Sequence, residues 1–68
     1  MKEEWTGILV GRMHNAEVRQ EDLAKKLGCT KAYVSMVLNG SATPKGGRER
    51  FEAAFYAVLA DREANKED

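Results

Sequence analysis

At 68 residues the chain lies near the lower size limit for a self-sufficient core, and its lone cysteine and lone histidine supply neither an internal disulfide nor a structural metal cluster. Eleven Lys/Arg balance eleven Asp/Glu, and no segment has the form of a signal peptide or of a bilayer-spanning run. These features point to one domain over residues 1–68, cytoplasmic and away from membranes, with no metal and no cofactor, stabilised by packed helices or by a second copy.

The zero total hides an uneven distribution. Residues 1–9 carry one Lys against two Glu, residues 10–50 eight Lys/Arg against four Asp/Glu, and residues 51–68 two against five. A basic middle between acidic ends can orient a protein on a polyanion while limiting indiscriminate binding.

The spacing of apolar residues predicts helices and no strand. The first helix is expected from about Glu3 to His14, with Trp5, Ile8, Leu9 and Met13 as its buried stripe. Gly7 and Gly11 weaken it by roughly 1 kcal/mol each relative to Ala and suggest close approach of a neighbouring helix. A loop through Asn15 and Glu17 follows. The second helix spans Gln20–Leu27, with Leu23, Ala24 and Leu27 inward, Glu21 and Asp22 at its positive end, and Lys25 and Lys26 turned to solvent. Gly28 takes the left-handed position after it. Thr30 caps a third helix, Lys31 to Leu38 or Asn39, which Gly40 ends.

In "SATPKGG", Thr43 and Pro44 form an N-cap and first-turn pair, so the fourth helix starts there or a turn later, after the two glycines. A short extra turn around 44–47 would make a fifth element. From Arg48 to about Glu63, Phe51, Ala54, Phe55, Val58 and Leu59 keep helical spacing, and the tail "ANKED" is expected to fray.

The second and third helices satisfy a demanding pattern. Two short helices cross steeply only when the contact residue is small and the turn bends sharply. Ala24 is the small residue, Gly28 allows the bend, and Cys29 is expected as a small buried hydrophobe beneath the turn. Val34 and Val37 close the unit. On these residues, "RQEDLAKKLGCTKAYVSMVLNG" at 19–40, the chain resembles the helix-turn-helix repressors of the phage-repressor-like (Xre-type) family. The likeness extends more loosely from "GRMH" to "TPKGGRERF", and small regulators of phages and mobile elements look most similar.

The resemblance implies an all-α, lambda-repressor-like DNA-binding domain of four or five helices that acts as a transcriptional regulator, in particular a repressor of a phage or mobile element. It also implies that the helix at 31–39 enters the major groove by its N-terminal residues. By the same resemblance Gln20, Thr30, Tyr33 and Asn39 match phosphate-binding positions. Ser41, Thr43, Lys45 and Arg48 occupy the following loop, where family members also grip the backbone.

The reading face follows from geometry alone. At about 100° per residue, Val34, Val37 and Leu38 share one side of the third helix. Ala32, Ser35, Met36 and Asn39 fall opposite, with Lys31 and Tyr33 at the flanks. A helix in a groove needs short side chains, hydrogen-bonding groups and apolar atoms for the thymine methyl. The candidate base-reading residues are therefore Lys31, Ala32, Ser35 and Met36.

Three departures from the family pattern stand out. Arg19 occupies the place of a small N-cap. Met13 and Leu38 replace an Arg–Glu pair, so an apolar contact is expected there. The reading face lacks the bidentate Gln and Arg of strong base readers, which implies modest specificity per half-site.

The remaining residues invite plainer readings. His14 reads as a surface or helix-end residue, and Trp5 as core or core edge. The Gly46-Gly47 pair is a weak anion-binding signal. No nucleophile–base pair or metal-ligand spacing suggests an enzyme, and no small-molecule ligand is expected. The expected partners are double-stranded DNA and a second copy, joined on DNA or through the helix at 48–63, where Phe51, Phe55, Tyr56 and Leu59 offer more apolar surface than one face buries. A protein-interaction module or antitoxin-like partner with little DNA affinity is the alternative, with Met36 then a partner contact.

Overall fold

The computed structural model describes residues 4–65, which form four helices and no strand: α1 (Glu4–Ala16), α2 (Gln20–Leu27), α3 (Lys31–Leu38) and α4 (Gly47–Ala64). The expected start at Glu3 and the fraying of Lys66–Asp68 lie outside the described residues. Every helix packs on at least two others: α2 on α3 and α4, and α1 on the same pair.

The core runs through all four helices, from Leu9 and Met13 through Leu23, Val34, Val37 and Leu38 to Phe51, Phe55 and Val58. Met13 and Leu38 are both almost fully buried, so the apolar pair expected in place of an ion pair sits inside the core. Phe51 and Phe55 are buried as well and Leu59 partly so, which leaves Tyr56 as the exposed aromatic of α4. Its ring packs edge-on against Phe55, and its hydroxyl accepts a hydrogen bond from the Arg12 guanidinium at 2.6 Å. The apolar surface α4 offers a second copy is correspondingly small. Cys29 packs against the core but is only partly buried, not sealed beneath the turn as expected.

The outer face of α1 departs from the expected stripe. Its buried residues are Thr6, Leu9 and Met13, whereas Ile8 is 59% exposed. Thr6 lies only about 60° around the helix from Leu9, while Ile8 lies about 100° away on the other side. Gly7 and Gly11 also face outward. A Cβ on either would meet nothing within 4 Å, so no neighbouring helix makes use of them.

The end of α1 is set by its backbone and by a distant side chain. Asn15 and Ala16 remain helical, and Glu17 adopts the left-handed conformation at φ 58°. The Glu17 and Val18 N–H groups return to the His14 and Met13 carbonyls at 3.2 and 2.8 Å, a Schellman closure with buried Val18 over buried Met13. From the last turn of α4, Arg62 donates to the Ala16 and Glu17 carbonyls, both at 2.7 Å, and lies 3.6 Å from the Asp22 carboxylate. Asp22 in turn accepts the Arg19 N–H at 2.9 Å, which caps α2.

Helix α4 begins at Gly47, the second glycine of the pair, rather than at Pro44 or after both glycines, and Lys45–Gly46 form a turn rather than a fifth helix. Gly47 is buried, and a Cβ there would stand 2.9 Å from Pro44 Cγ and 3.7 Å from Trp5 Cζ2. The absence of a side chain lets the proline ring lie against the helix start, beside the edge-on contact of Trp5 and Phe51 at 5.9 Å.

Two glycine substitutions should therefore move stability in opposite directions in urea unfolding. Gly11→Ala should add about 0.5–1 kcal/mol, because the site is open and helical. Gly47→Ala should remove about 1–3 kcal/mol through overpacking against Pro44, despite alanine's better helix propensity. Arg62→Ala should lower stability by about 1 kcal/mol after allowance for solvent screening, and Arg62→Lys should restore less than half, since an ammonium donates from one nitrogen and lacks the rigid two-nitrogen fork that spans both carbonyls.

Candidate nucleic-acid interface

The α2–α3 unit is held from within. Leu23 and Val34 are wholly inaccessible, Val37 nearly so, and Ala24 is buried beside them. Gly28, at φ 74°, reverses the chain after α2, and the N–H groups of Gly28 and Cys29 both bond the Ala24 carbonyl, at 2.8 and 3.0 Å. A residue with a Cβ would be strained by that angle, although the space around it is open. Thr30 Oγ1 accepts the Tyr33 N–H at 3.1 Å and starts α3. Its hydroxyl proton stays available for donation.

With Val34, Val37 and Leu38 turned inward, α3 presents its other side to solvent. Lys31, Ala32, Met36 and Asn39 are exposed and Ser35 is half-buried, so the four candidate base-reading residues share the outward side. Met36 is 46% exposed, on the side of α3 turned away from the core. The far end of α3 closes when the Gly40 and Ser41 N–H groups bond the Val37 and Met36 carbonyls at 3.2 and 2.8 Å. Asn39 Oδ1 accepts the Ser41 N–H at 2.9 Å, which leaves the carboxamide NH2 to donate outward.

Among the phosphate candidates, Thr30, Asn39, Ser41, Thr43, Lys45 and Arg48 are exposed, and Gln20 and Tyr33 are half-buried, with Tyr33 packed on the core. Arg48 also approaches Glu52, one turn on, at 3.4 Å. An open groove joins the starts of α2 and α3 to the end of α1. His14, Arg19, Gln20, Glu21 and Lys31 wall it over Met13 and Val18. Lys31 thus stands beside Gln20 as well as on the reading side of α3. Arg19 supplies no side-chain cap, because a guanidinium has no acceptor, and the residue lines this groove. The place of His14 in the groove was not visible in sequence, since three separate elements build that wall.

Charge follows the same division. From Leu23 to Arg48 the chain has five Lys/Arg and no acidic residue. Lys26 is paired with Asp61 and Arg62 with Asp22 at the α2–α4 side, while no ion pair among the described residues engages Arg19, Lys31 or Lys45. The described residues contain no group of His, Cys, Asp or Glu able to hold a metal, and no helix long and apolar enough to cross a membrane.

A family model described as helix-turn-helix matches residues 13–48, just over half of the chain. No curated protein and no solved structure matches.

The division of α3 into an inner and an outer side can be checked by thermal or urea unfolding. Leu38→Ala should cost about 2–5 kcal/mol, whereas Met36→Ala, two residues away, should change stability by no more than about 0.5 kcal/mol.

Proposed function

Because the chain belongs to the Xre-type helix-turn-helix family, a family of DNA-binding regulators, we propose that it regulates transcription by laying α3 in the major groove of a specific duplex site. The observation that carries this reading is the outer side of α3. Lys31, Ala32, Ser35 and Met36 combine small size, hydrogen-bonding groups and apolar atoms on a helix whose other side is locked in the core. Lys31 can donate to guanine acceptors, Ser35 can donate or accept, and Ala32 and Met36 can meet thymine methyl groups. Gln20, Thr30, Tyr33 and Asn39, with Ser41, Thr43, Lys45 and Arg48 in the loop beyond, would hold the sugar-phosphate backbone on either side.

One such unit covers few base pairs, so two copies on half-sites about one helical turn apart are the natural arrangement. The burial of Phe51 and Phe55 favours pairing through DNA over pairing through α4. Bound in this way the protein occludes a promoter. Its role as a repressor of a phage or mobile element rests on the likeness of residues 19–40 to the small regulators of such elements.

Selection from a random duplex pool should return one preferred, palindromic site, with affinity falling by a log–log slope of about −0.9 per phosphate contacted as salt rises. Lys31→Ala should lose discrimination at that site by about 1 kcal/mol, roughly fivefold, and Met36→Asp should abolish it. Gln20→Ala should weaken all duplexes alike, so an effect confined to one base position would contradict its role. Tight capture of a protein partner, with no retardation of any duplex at low salt, would replace this reading with that of an interaction module.

A further inference from the structure

His14, the chain's one histidine, takes no part in the reading above. It is exposed in the last turn of α1, on the wall of the groove shared with Arg19, Gln20, Glu21 and Lys31. Arg19 is the N-cap of α2 and Lys31 the first residue of α3, so two positive helix ends, and two cations that pair with no acid among the described residues, line the groove with the imidazole. His14 also lines an adjoining depression with Glu17, Arg19 and Arg62. The charged groups around it are therefore Glu17 and Arg19 from the loop, Glu21 from α2, Lys31 from α3 and Arg62 from α4. Arg62 is already engaged with two carbonyls and Asp22.

We propose that His14 is a DNA-backbone contact made in its protonated form. A duplex phosphate seated beside Arg19 accepts an N–H from the imidazolium, and DNA binding takes up a proton. A phosphate brings negative charge and a strong acceptor to the imidazole, and so favours its charged form in the complex. Histidine is the side chain that changes charge between about pH 5 and pH 8, so the contact is made in mild acid and lost in mild alkali. Because the contact is to phosphate, it strengthens binding to every duplex alike and leaves the choice of site to α3.

This inference rests on the DNA-binding reading, and one experiment separates the two. Affinity for a mixed-sequence duplex about two helical turns long is titrated against salt at about pH 5.5 and about pH 8, for the native chain, His14→Gln and His14→Lys. At about 0.1 M salt the native chain should bind on the order of fivefold more tightly at the acid end, with a salt slope steeper by about 0.9. His14→Gln should match the native chain in alkali and stay there in acid. His14→Lys should bind tightly, with the steeper slope, at both. Calorimetry in two buffers of different ionisation enthalpy should show proton uptake by the native chain and none by His14→Gln. A His14→Gln protein that keeps the native pH dependence, or a His14→Lys protein no tighter than His14→Gln in alkali, overturns the assignment of His14 alone. A native chain with no salt-dependent duplex binding at either pH overturns the DNA-binding reading and this inference together.

Discussion

The guanidinium of Arg62 joins the last turn of α4 to the junction between α1 and α2, and the placing of the candidate interface depends on it. The closing carbonyls of a helix have no partners within the helix, and a non-glycine residue in the left-handed conformation costs roughly 1–2 kcal/mol. Glu17 carries that strain immediately after α1. Arg62 offsets it by forking across the Ala16 and Glu17 carbonyls, where its positive charge also suits the negative end of the α1 dipole. The same guanidinium neighbours Asp22, which caps the first turn of α2. One side chain thus braces the end of α1 and the start of α2 together, and with them the place where Arg19 and Gln20 stand.

The eight residues of α3 are too few to hold a helix in water by themselves, since a first turn is costly to nucleate and short helices are marginal. Its order comes from burial of Val34, Val37 and Leu38 and from caps at both ends. None of these uses the side chains of Lys31, Ala32, Ser35 or Met36. Base reading and stability are therefore carried by different residues of the same helix, and those four positions can vary without touching the core. Charge divides in a parallel way: acids on α4 and at the start of α2 take up Lys26 and Arg62, while Arg19, Lys31 and Lys45 remain available to a polyanion.

How much of this could be read from the sequence depended on how local the cause was. The bounds of α2 and α3, the bend at Gly28 and the cap at Thr30 were legible because each follows from residues within one turn of the chain. So was the outward side of α3, which is a matter of helical period. The errors have distant causes. Spacing alone did not say whether Ile8 or Thr6 would face α3 and α4, and the exposed pair of Gly7 and Gly11 looked like a packing signal. The length of α1 was underestimated because its end is a strained glutamate held by a residue from the other end of the fold. Gly47 read as half of a weak anion-binding pair before the fourth helix, yet its missing side chain makes room for Pro44. The groove around His14 was invisible for the same reason, since residues from α1, α2 and α3 meet there only after folding.

The dependence of the interface on Arg62 also bears on the order in which the molecule is made. Synthesis runs from the N-terminus, so α2 and α3 leave the ribosome before Phe51, Phe55 and Arg62 have been added. A nascent chain that ends at Arg48 contains the whole recognition helix and neither of the phenylalanines that complete the core beneath it. Until α4 emerges, the helix that would read DNA has no rigid platform, so competence to bind arrives in one step once α4 is out.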